Sequence, residues 1–255
     1  MVSKAKIKEI RALAYKKFRD EQNIFVAEGN KLVSELLPVC CCEWLIARPQ
    51  WMATHRDISA KELILAEGDD IRKLSFLKTP QDVLALFRKP SFALEEASPA
   101  SQLILALDGI QDPGNLGTII RLACWFGIEH VVCSPDTADV YGPKTVQATM
   151  GALARVKVHC ADLYGYIKGH LSFPVYGTFL EGDNINNCKL SHHGIIVMGN
   201  EGNGVRPEIE ALITERLYIP SYPPERKTTE SLNVATATAI VCAAFRRIHR
   251  PAGTE

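Results

Sequence analysis

The stretch LILALDGIQDPGNLGTIIR, residues 103–121, decides the fold class of this sequence. Residues 103–108 form a nearly uninterrupted apolar run, which is typical of a central parallel strand covered on both faces. A glycine-containing loop follows, and a helix is predicted over residues 116–126. In parallel α/β sheets, ligands bind at the loops that follow the carboxyl ends of the strands. We therefore expect an α/β fold with a functional site at this end of the strand.

The rest of the chain carries further strand and helix patterns. After residue 126, strands are predicted over 130–133, 156–159, 175–179, 195–198 and 216–219, and helices over 143–152, 207–213 and 232–247. This alternation favours a mostly parallel sheet with helices on both faces. Before residue 90, helices are predicted over 4–18, 30–37, 51–58 and 69–77, and strands over 44–47 and 83–87.

Proline- and serine-containing segments between residues 89 and 101 interrupt the periodic pattern. A length of 255 residues suits one large domain or two domains of ordinary size. Because the pattern differs on the two sides of the interruption, we expect a small N-terminal α/β domain over residues 1–96 and a larger α/β domain over residues 97–255.

Composition argues against several classes of protein. Hydrophobic residues make up 47% of the chain and charged residues 23%, as in soluble globular proteins and unlike disordered, fibrous or membrane proteins. The longest mostly apolar stretch, Val234 to Phe245, is too short to span a bilayer. The first residues lack the apolar core of a secretion signal. The eight cysteines show no paired ligand spacing, so we expect reduced thiols and no metal site. The sequence predicts a cytoplasmic protein without a membrane partner.

Basic residues are concentrated at the N-terminus, although the net charge of the chain is zero. Residues 1–19 contain seven lysines and arginines against one acid, Glu9, which leaves an excess of six positive charges. Such an excess is enough for several phosphate contacts if the side chains share one face. A solvated first helix explains the same composition, so both interpretations stay open on charge alone.

The first loop at a predicted strand end covers residues 108–117. Gly114 and Gly117 allow a close approach of the backbone to a ligand, and Asn115 is a good helix-capping residue. Arg121 lies inside the helix that follows. A capped helix with an ordinary surface arginine accounts for the asparagine, but it does not account for an arginine that points back toward the loop.

The second loop, residues 199–207, follows the predicted strand 195–198. Three glycines in six residues indicate backbone that folds tightly against something. The pattern is neither GxGxxG nor a lysine-bearing phosphate loop, which disfavours a nucleotide-phosphate site. A plain glycine turn is the alternative, but Glu201 at its centre favours a binding or catalytic site.

The third loop, residues 219–235, begins with Ile219-Pro220 and leads into the last helix. Ser231 and Asn233 are both good helix-entry residues. Taken alone, this loop is explained by helix capping.

Taken together, the three loops resemble the ordered motifs of the SpoU/TrmH branch of the SPOUT RNA methyltransferases. Residues 115–121 (NLGTIIR) are similar to motif one, residues 199–204 (GNEGNG) to motif two, and Ile-Pro at 219–220 with residues 231–234 (SLNV) to motif three. Residues 25–33 (FVAEGNKLV) resemble the small substrate-binding domain of the family. The resemblance therefore covers nearly the whole chain.

One segment departs from the family pattern. Residues 221–230 stand where the family has a short Pro-x-Gly turn before the serine of motif three. Arg226 and Lys227 in this segment are candidates either for RNA contacts or for plain solvation.

The resemblance implies methyl transfer from S-adenosylmethionine to a ribose 2′-hydroxyl of structured RNA, either ribosomal or transfer RNA. It also implies a C-terminal trefoil knot and a homodimer, an RNA-binding role for residues 1–96, and no DNA partner. The implied catalytic residues are Arg121, Asn115, Glu201, Ser231 and Asn233. The implied cofactor contacts are Met198, Gly199, Asn200, Gly202, Ile219, Pro220 and Leu232. The implied RNA contacts are Lys4, Lys8, Arg11 and Lys31.

The family assigns removal of the hydroxyl proton to the arginine of motif one. A guanidinium almost never gives up its own proton. We therefore expect Arg121 to grip the phosphate beside the target ribose and to stabilise the forming alkoxide, with Glu201 and Asn233 fixing its orientation.

Two alternatives belong to other functional classes. The first is a non-catalytic RNA-binding protein that keeps a SPOUT-like fold, and the presence of all the motif residues argues against it. The second is a dinucleotide-dependent oxidoreductase, which is disfavoured because the glycine fingerprint after the first strand is missing.

Overall fold

A computed structural model describes residues 2–55, 58–223 and 231–247. The chain divides into two compact units. Unit 1 comprises Met1–Ser91 and Asp139–Ala154, and unit 2 comprises Phe92–Ala138 and Arg155–Glu255. Nowhere in the described ranges is there a helix with both the length and the apolar character needed to cross a membrane.

The described ranges contain the following helices and strands. The helices are α1 (Lys4–Ala12), α2 (Lys16–Gln22), α3 (Asn30–Leu36), α4 (Pro49–Thr54), α5 (Gly68–Leu74), α6 (Pro113–Trp125), α7 (Pro143–Thr149), α8 (Leu163–Lys168), α9 (Pro207–Glu210) and α10 (Val234–Arg247). The strands are β1 (Ile24–Glu28), β2 (Cys42–Ala47), β3 (Glu62–Leu65), β4 (Val83–Arg88), β5 (Leu103–Leu107), β6 (His130–Cys133), β7 (Lys157–Cys160), β8 (Val175–Phe179), β9 (Asp183–Asn184), β10 (Gly194–Met198) and β11 (Glu215–Tyr218).

Unit 1 contains a four-stranded mixed sheet in the order β1-β4-β2-β3. Strand β4 is antiparallel to both of its neighbours, and β2 and β3 are parallel. Strand β1 is buried at all five positions, as expected of a strand covered on both faces. Strand β3, with the sequence ELIL, was not predicted, because an apolar run this short does not distinguish a strand from a helix. It is an edge strand that is largely exposed.

The single helix predicted over residues 4–18 is two helices, α1 and α2. Ile10 and Leu13 are fully buried at the end of α1, and Tyr15 then adopts an extended backbone before α2 begins. The buried guanidinium of Arg19 donates to the carbonyl of Leu13 at 2.5 Å. This contact requires a turn between the two helices, so tertiary packing overrides the helical propensity of the segment. The helix predicted over 51–58 ends at Thr54, and residues 56–57 lie outside the described ranges.

Residues 139–154 follow the first part of unit 2 along the chain but belong to unit 1. The Tyr141 ring lies 5.0 Å from that of Phe25, centroid to centroid, and Nε of Arg19 donates to Asp139 at 3.1 Å. The predicted domains meet between residues 96 and 97 and place residues 139–154 in the C-terminal domain. In the structure these residues pack with the N-terminal part instead. The functional roles assigned to the two predicted domains stay predictions.

Unit 2 contains a seven-stranded sheet in the order β7-β6-β5-β10-β8-β11-β9, and all of its paired strands are parallel. Strands β5 and β10 lie at its centre and are buried at every position. Their neighbouring residues include Ile195 beside Ile104 and Met198 beside Leu107. The predicted parallel α/β sheet is thus confirmed. It brings the loops after β5 and β10 next to each other, although about 90 residues separate them in sequence.

Candidate active site

At the end of the first loop, Asp112 caps helix α6, so the side chain of Asn115 is not needed for capping. Asp112, not Asn115, caps α6: its Oδ1 accepts a hydrogen bond from the backbone N–H of Asn115 at 2.8 Å. Helix α6 accordingly begins at Pro113 and not at the predicted residue 116, because proline suits the first helical position. Since Asn115 has no capping task, its amide is available to other groups.

The Asn115 amide is hydrogen-bonded on both sides. Its Nδ2 donates to Oε1 of Glu201 in the second loop at 2.8 Å. Its Oδ1 accepts from Nδ2 of Asn233 in the third loop at 3.1 Å. One side chain therefore joins all three loops, which follow the carboxyl ends of β5, β10 and β11. We call this chain of contacts, Glu201–Asn115–Asn233, the amide bridge.

Asn233 also performs the helix-entry task that its position suggests. Its Oδ1 accepts hydrogen bonds from the backbone N–H groups of Ala235 at 3.0 Å and Thr236 at 3.3 Å. The side-chain oxygen thus caps α10, while the nitrogen reaches Asn115. Capping and site formation are therefore two uses of one amide.

The second loop folds back on itself so tightly that its first residue must be glycine. A Cβ on Gly199 would lie 2.4 Å from the carbonyl carbon of Gly204 and 2.5 Å from the nitrogen of Val205. Asn200 and Gly204 exchange backbone hydrogen bonds of 2.9 and 3.0 Å. The predicted tight backbone is present, and any larger residue at 199 would force the loop open.

The side chain of Asn200 holds the second loop to the first. Its Oδ1 accepts from the backbone N–H groups of Gly202 at 2.8 Å and Asn203 at 3.0 Å. Its Nδ2 donates to the carbonyl of Gly109 at 2.6 Å. The side chain and the backbone of Asn200 are thus both engaged within the protein, and the residue shapes the second loop.

A buried ion pair, not predicted from the sequence, locks the same two loops together. Asp108 is 1% exposed and accepts from the backbone N–H of Arg206 at 2.8 Å and from its Nε at 2.7 Å. The hydrogen bond to Asp108 raises the pKa of the Arg206 guanidinium above its ordinary value. The signal for this pair was Asp108 itself, because a carboxyl group at the end of a buried apolar strand requires a partner.

Arg121 lies exposed on α6 and departs from the expected arrangement. Within residues 2–55, 58–223 and 231–247, its guanidinium has no hydrogen-bond or ion-pair partner. Glu201 and Asn233, which we expected to fix its orientation, instead hydrogen-bond to Asn115. The charged fork of Arg121 is therefore available to an incoming anionic group.

The other predicted site residues in the described ranges differ in burial. Met198 is buried at the end of β10, whereas Gly202, Ser231 and Leu232 are exposed. Ile219 and Pro220 are half-buried just after β11. Arg226 and Lys227, named as candidates for RNA contacts, lie outside the described residues.

The predicted RNA contacts lie on unit 1. Lys4, Lys8 and Lys31 are exposed and have no ion-pair partner in the described part of the chain. Arg11 differs, because its Nη1 donates to the carbonyl of Ser75 at 2.5 Å and its guanidinium lies 5.0 Å from the centroid of the Phe76 ring. Arg11 therefore serves the packing of unit 1.

Comparison with protein families gives two matches. The sequence pattern of the SpoU rRNA Methylase family matches residues 102–243, which is more than half of the chain. The pattern of the MRM3-like substrate binding domain matches residues 4–85.

Relatives and solved structures agree with these matches. The 23S rRNA (guanosine(2553)-2′-O)-methyltransferase RlmP of Bacillus subtilis is 32% identical over 241 residues, which cover 92% of this chain and 94% of the relative. A structure from Porphyromonas gingivalis assigned to the TrmH family of RNA methyltransferases is 40% identical, with a TM-score of 0.87 and coverage of 97% and 99%. The AdoMet-bound rRNA methyltransferase from Sinorhizobium meliloti is 30% identical, with a TM-score of 0.86 and coverage of 98% and 97%.

The resemblance inferred from the three motifs is thereby confirmed, and with it the predicted class of enzyme and its cofactor. The three loops that carry the motifs meet at the amide bridge of unit 2. This chain belongs to the SpoU rRNA methylase family, whose members are S-adenosylmethionine-dependent RNA methyltransferases.

Proposed function

We propose that this chain transfers the methyl group of S-adenosylmethionine to a ribose 2′-hydroxyl of large-subunit ribosomal RNA. The observation that carries the proposal is the amide bridge, in which Asn115 is held between Glu201 and Asn233. The choice of ribosomal over transfer RNA is supported by the Bacillus relative, which is named a 23S rRNA 2′-O-methyltransferase.

The groups around the amide bridge suit an adenosyl sulfonium compound, which supplies an electrophilic methyl group when bound. In our proposal the backbone around Gly199, Ile219 and Leu232 holds the adenine ring and the ribose, which require N–H donors and carbonyl acceptors. Gly202 adds no side chain. The carboxylate of Glu201 gives the site a negative charge, which is complementary to a sulfonium centre.

Arg121 is the group best suited to the RNA backbone. Its free guanidinium offers five N–H donors in a planar fork that matches a phosphate. In our proposal it binds the phosphate beside the target ribose and stabilises the negative charge that develops on the 2′-oxygen. The 2′-oxygen would take the methyl group, the sulfur would leave as the thioether of S-adenosylhomocysteine, and the hydroxyl proton would pass to solvent water. Asn115 and Ser231 position the hydroxyl.

We also propose that the C-terminal region forms the deep trefoil knot implied by the family. Support comes from the ties between the two helices concerned. Asn233 at the entrance of α10 bonds to Asn115 at the start of α6. Near the other end, Arg246 donates to the carbonyls of Phe126 at 2.7 Å and Gly127 at 2.9 Å.

A homodimer is the assembly that we propose. The ring of Trp125 on α6 is 82% exposed, and Ile240 on the adjoining α10 and Leu232 before it are also exposed. A large aromatic side chain in such apolar company is typical of a contact with another chain. We propose further that residues 1–96 bind the RNA, with Lys4, Lys8 and Lys31 as phosphate contacts.

The experiment is incorporation of labelled methyl groups from S-adenosylmethionine into protein-free large-subunit ribosomal RNA and, separately, into transfer RNA. We expect label in ribosomal RNA, located at a 2′-oxygen by resistance of the neighbouring phosphodiester to alkali. Asn115→Ala should remove the label. Asn203→Ala is the matched control, because this asparagine also lies in the loop cluster but its side chain makes no hydrogen bond within the described residues. Label on a base, or none at all, would overturn the proposal.

A further inference from the structure

The corner between α1 and α2 exposes two aromatic rings. Tyr15 is 68% exposed and Phe18 is 37% exposed. Their ring centroids lie 6.5 Å apart at an interplanar angle of 70°, so the rings meet edge to face. Within the described residues no other ring and no cation stacks on either of them. Ring faces are therefore available to a flat partner.

Hydrogen bonds hold the turn between α1 and α2 that carries these rings. Arg19 of α2 is buried, and it donates to the carbonyl of Leu13 at 2.5 Å and to the carboxylate of Asp139 at 3.1 Å. The backbone N–H of Tyr15 donates to the carbonyl of Ala12 at 3.0 Å. Because the backbone is held in this way, little conformational entropy is lost when a ligand stacks on the rings.

The charges around the rings favour an anionic partner. Lys16, between the two rings in sequence, is exposed and has no ion-pair partner in the described part of the chain. The nearby carboxylates are engaged, since Asp20 pairs with Lys89 and Glu21 lies 3.8 Å from Lys17. An exposed lysine next to exposed aromatic residues in sequence is a combination with which proteins bind unpaired nucleotides.

We propose that Tyr15 and Phe18 form a stacking platform for an unpaired base of the substrate RNA, with Lys16 contacting the adjacent phosphate. The inference rests on the proposed function, because it takes RNA as the substrate. A base inside a duplex presents no free face, so the platform selects loops and bulges over paired RNA. The platform would thereby make unit 1 prefer RNA with unpaired bases. Phosphate contacts alone do not provide such a preference.

The test uses the full chain and two RNA probes: a hairpin with an unpaired loop that carries one 2-aminopurine, and a fully paired duplex of the same length. Tyr15→Ala and Phe18→Ala should each weaken hairpin binding about ten-fold, as expected for the loss of one stacked base, and leave duplex binding unchanged. Tyr15→Phe keeps the ring and should keep the affinity. Lys16→Ala should lower the slope of log affinity against log salt by about one unit, whereas Tyr15→Ala should not change it.

Tyr164→Ala is the matched control. This tyrosine of unit 2 is 38% exposed, and Lys168 lies 5.5 Å from its ring centroid, so it is also an exposed aromatic beside a lysine. We expect no change in binding of either probe. Thermal melting of each variant verifies that the fold is intact.

Three results would overturn the platform. In the first, the double variant Tyr15→Ala/Phe18→Ala binds the hairpin as tightly as the wild type, while methyl incorporation by the wild type still supports the proposed function. In the second, the variants lose hairpin and duplex binding equally, which indicates a general loss of affinity and not a lost stack. In the third, the wild type binds neither probe and incorporates no methyl label, and the platform then fails together with the proposed function.

Discussion

The side-chain amide of Asn233 donates to Oδ1 of Asn115 at 3.1 Å, although 118 residues separate them. Asn115 in turn donates to Glu201, 86 residues further along the chain. Each of these residues has a local explanation in its own loop. Their meeting is what distinguishes an assembled site from three separate turns.

The first prediction concerns the amide bridge. Asn115→Asp replaces the donor to Glu201 with a second carboxylate, so the two oxygens repel. We expect kcat to fall by roughly 100-fold or more, while the free energy of unfolding changes by less than about 1 kcal/mol because the position is partly solvated. Steady-state kinetics and urea unfolding measure the two effects. Wild-type kcat in this variant would remove Asn115 from the site.

The second prediction concerns Asp108 and Arg206. Asp108→Asn leaves the shape of the side chain but removes the buried charge that holds Arg206. We expect a loss of about 1 to 3 kcal/mol in unfolding free energy, because Arg206 is half-exposed and water can solvate it. KM for S-adenosylmethionine should rise as the second loop loosens. Asp136→Asn is the control, since this exposed carboxylate lies 3.8 Å from the same guanidinium, and it should change neither quantity appreciably.

The third prediction concerns Arg121. Arg121→Lys keeps the positive charge and loses the planar fork, so we expect roughly a 100-fold fall in kcat. Affinity for S-adenosylhomocysteine, measured by calorimetry, should stay the same because Arg121 is assigned to the RNA. A variant with full turnover would show that the fork is not needed.

The fourth prediction concerns a buried histidine pair in unit 2. Nδ1 of His130 lies 3.0 Å from Nε2 of His159, and both rings are buried. Burial lowers the pKa of both imidazoles, and the neighbouring charge of Lys157 lowers that of His130 further. The unfolded chain, with histidine pKa values near 6.5, takes up protons before the folded chain does. Stability is therefore full above that pH and is lost as the pH falls through it.

Urea unfolding at about pH 7.5 and about pH 5.5 tests this expectation. His159→Gln removes one of the two groups and should flatten the dependence of stability on pH. His192→Gln, at an exposed position, should keep the wild-type dependence. Equal slopes in all three proteins would mean that the buried pair does not control acid stability.

The fifth prediction concerns the exposed ring of Trp125. Trp125→Glu places a charge in the proposed dimer contact, so we expect light scattering to report a smaller mass than for the wild type. Leu180→Glu is the control, because Leu180 is also largely exposed and lies outside the proposed contact. A wild-type chain that is already monomeric would contradict the dimer.

Much of unit 2 was predictable because central parallel strands are covered on both faces and so appear in the sequence as continuous apolar runs. Strand β5 is buried at every position, and its apolar run stands out in sequence. Strand β3 was missed although its sequence, ELIL, is mostly apolar, because a run this short does not distinguish a strand from a helix. The break between α1 and α2 could not be predicted from the sequence either, because it depends on the contact of the buried Arg19 with the carbonyl of Leu13.

The sequence by itself determined the three loops, their order and the residue types that they present, because strand patterns, glycines and capping residues are local properties. Only the tertiary structure decided which side chains meet. It paired Asp108 with Arg206 and placed Glu201 and Asn233 on Asn115, where the sequence had suggested Arg121. The physical reason is that the parallel sheet sets β10 beside β5, so hydrogen bonds between the loops depend on strand order, which no local pattern records.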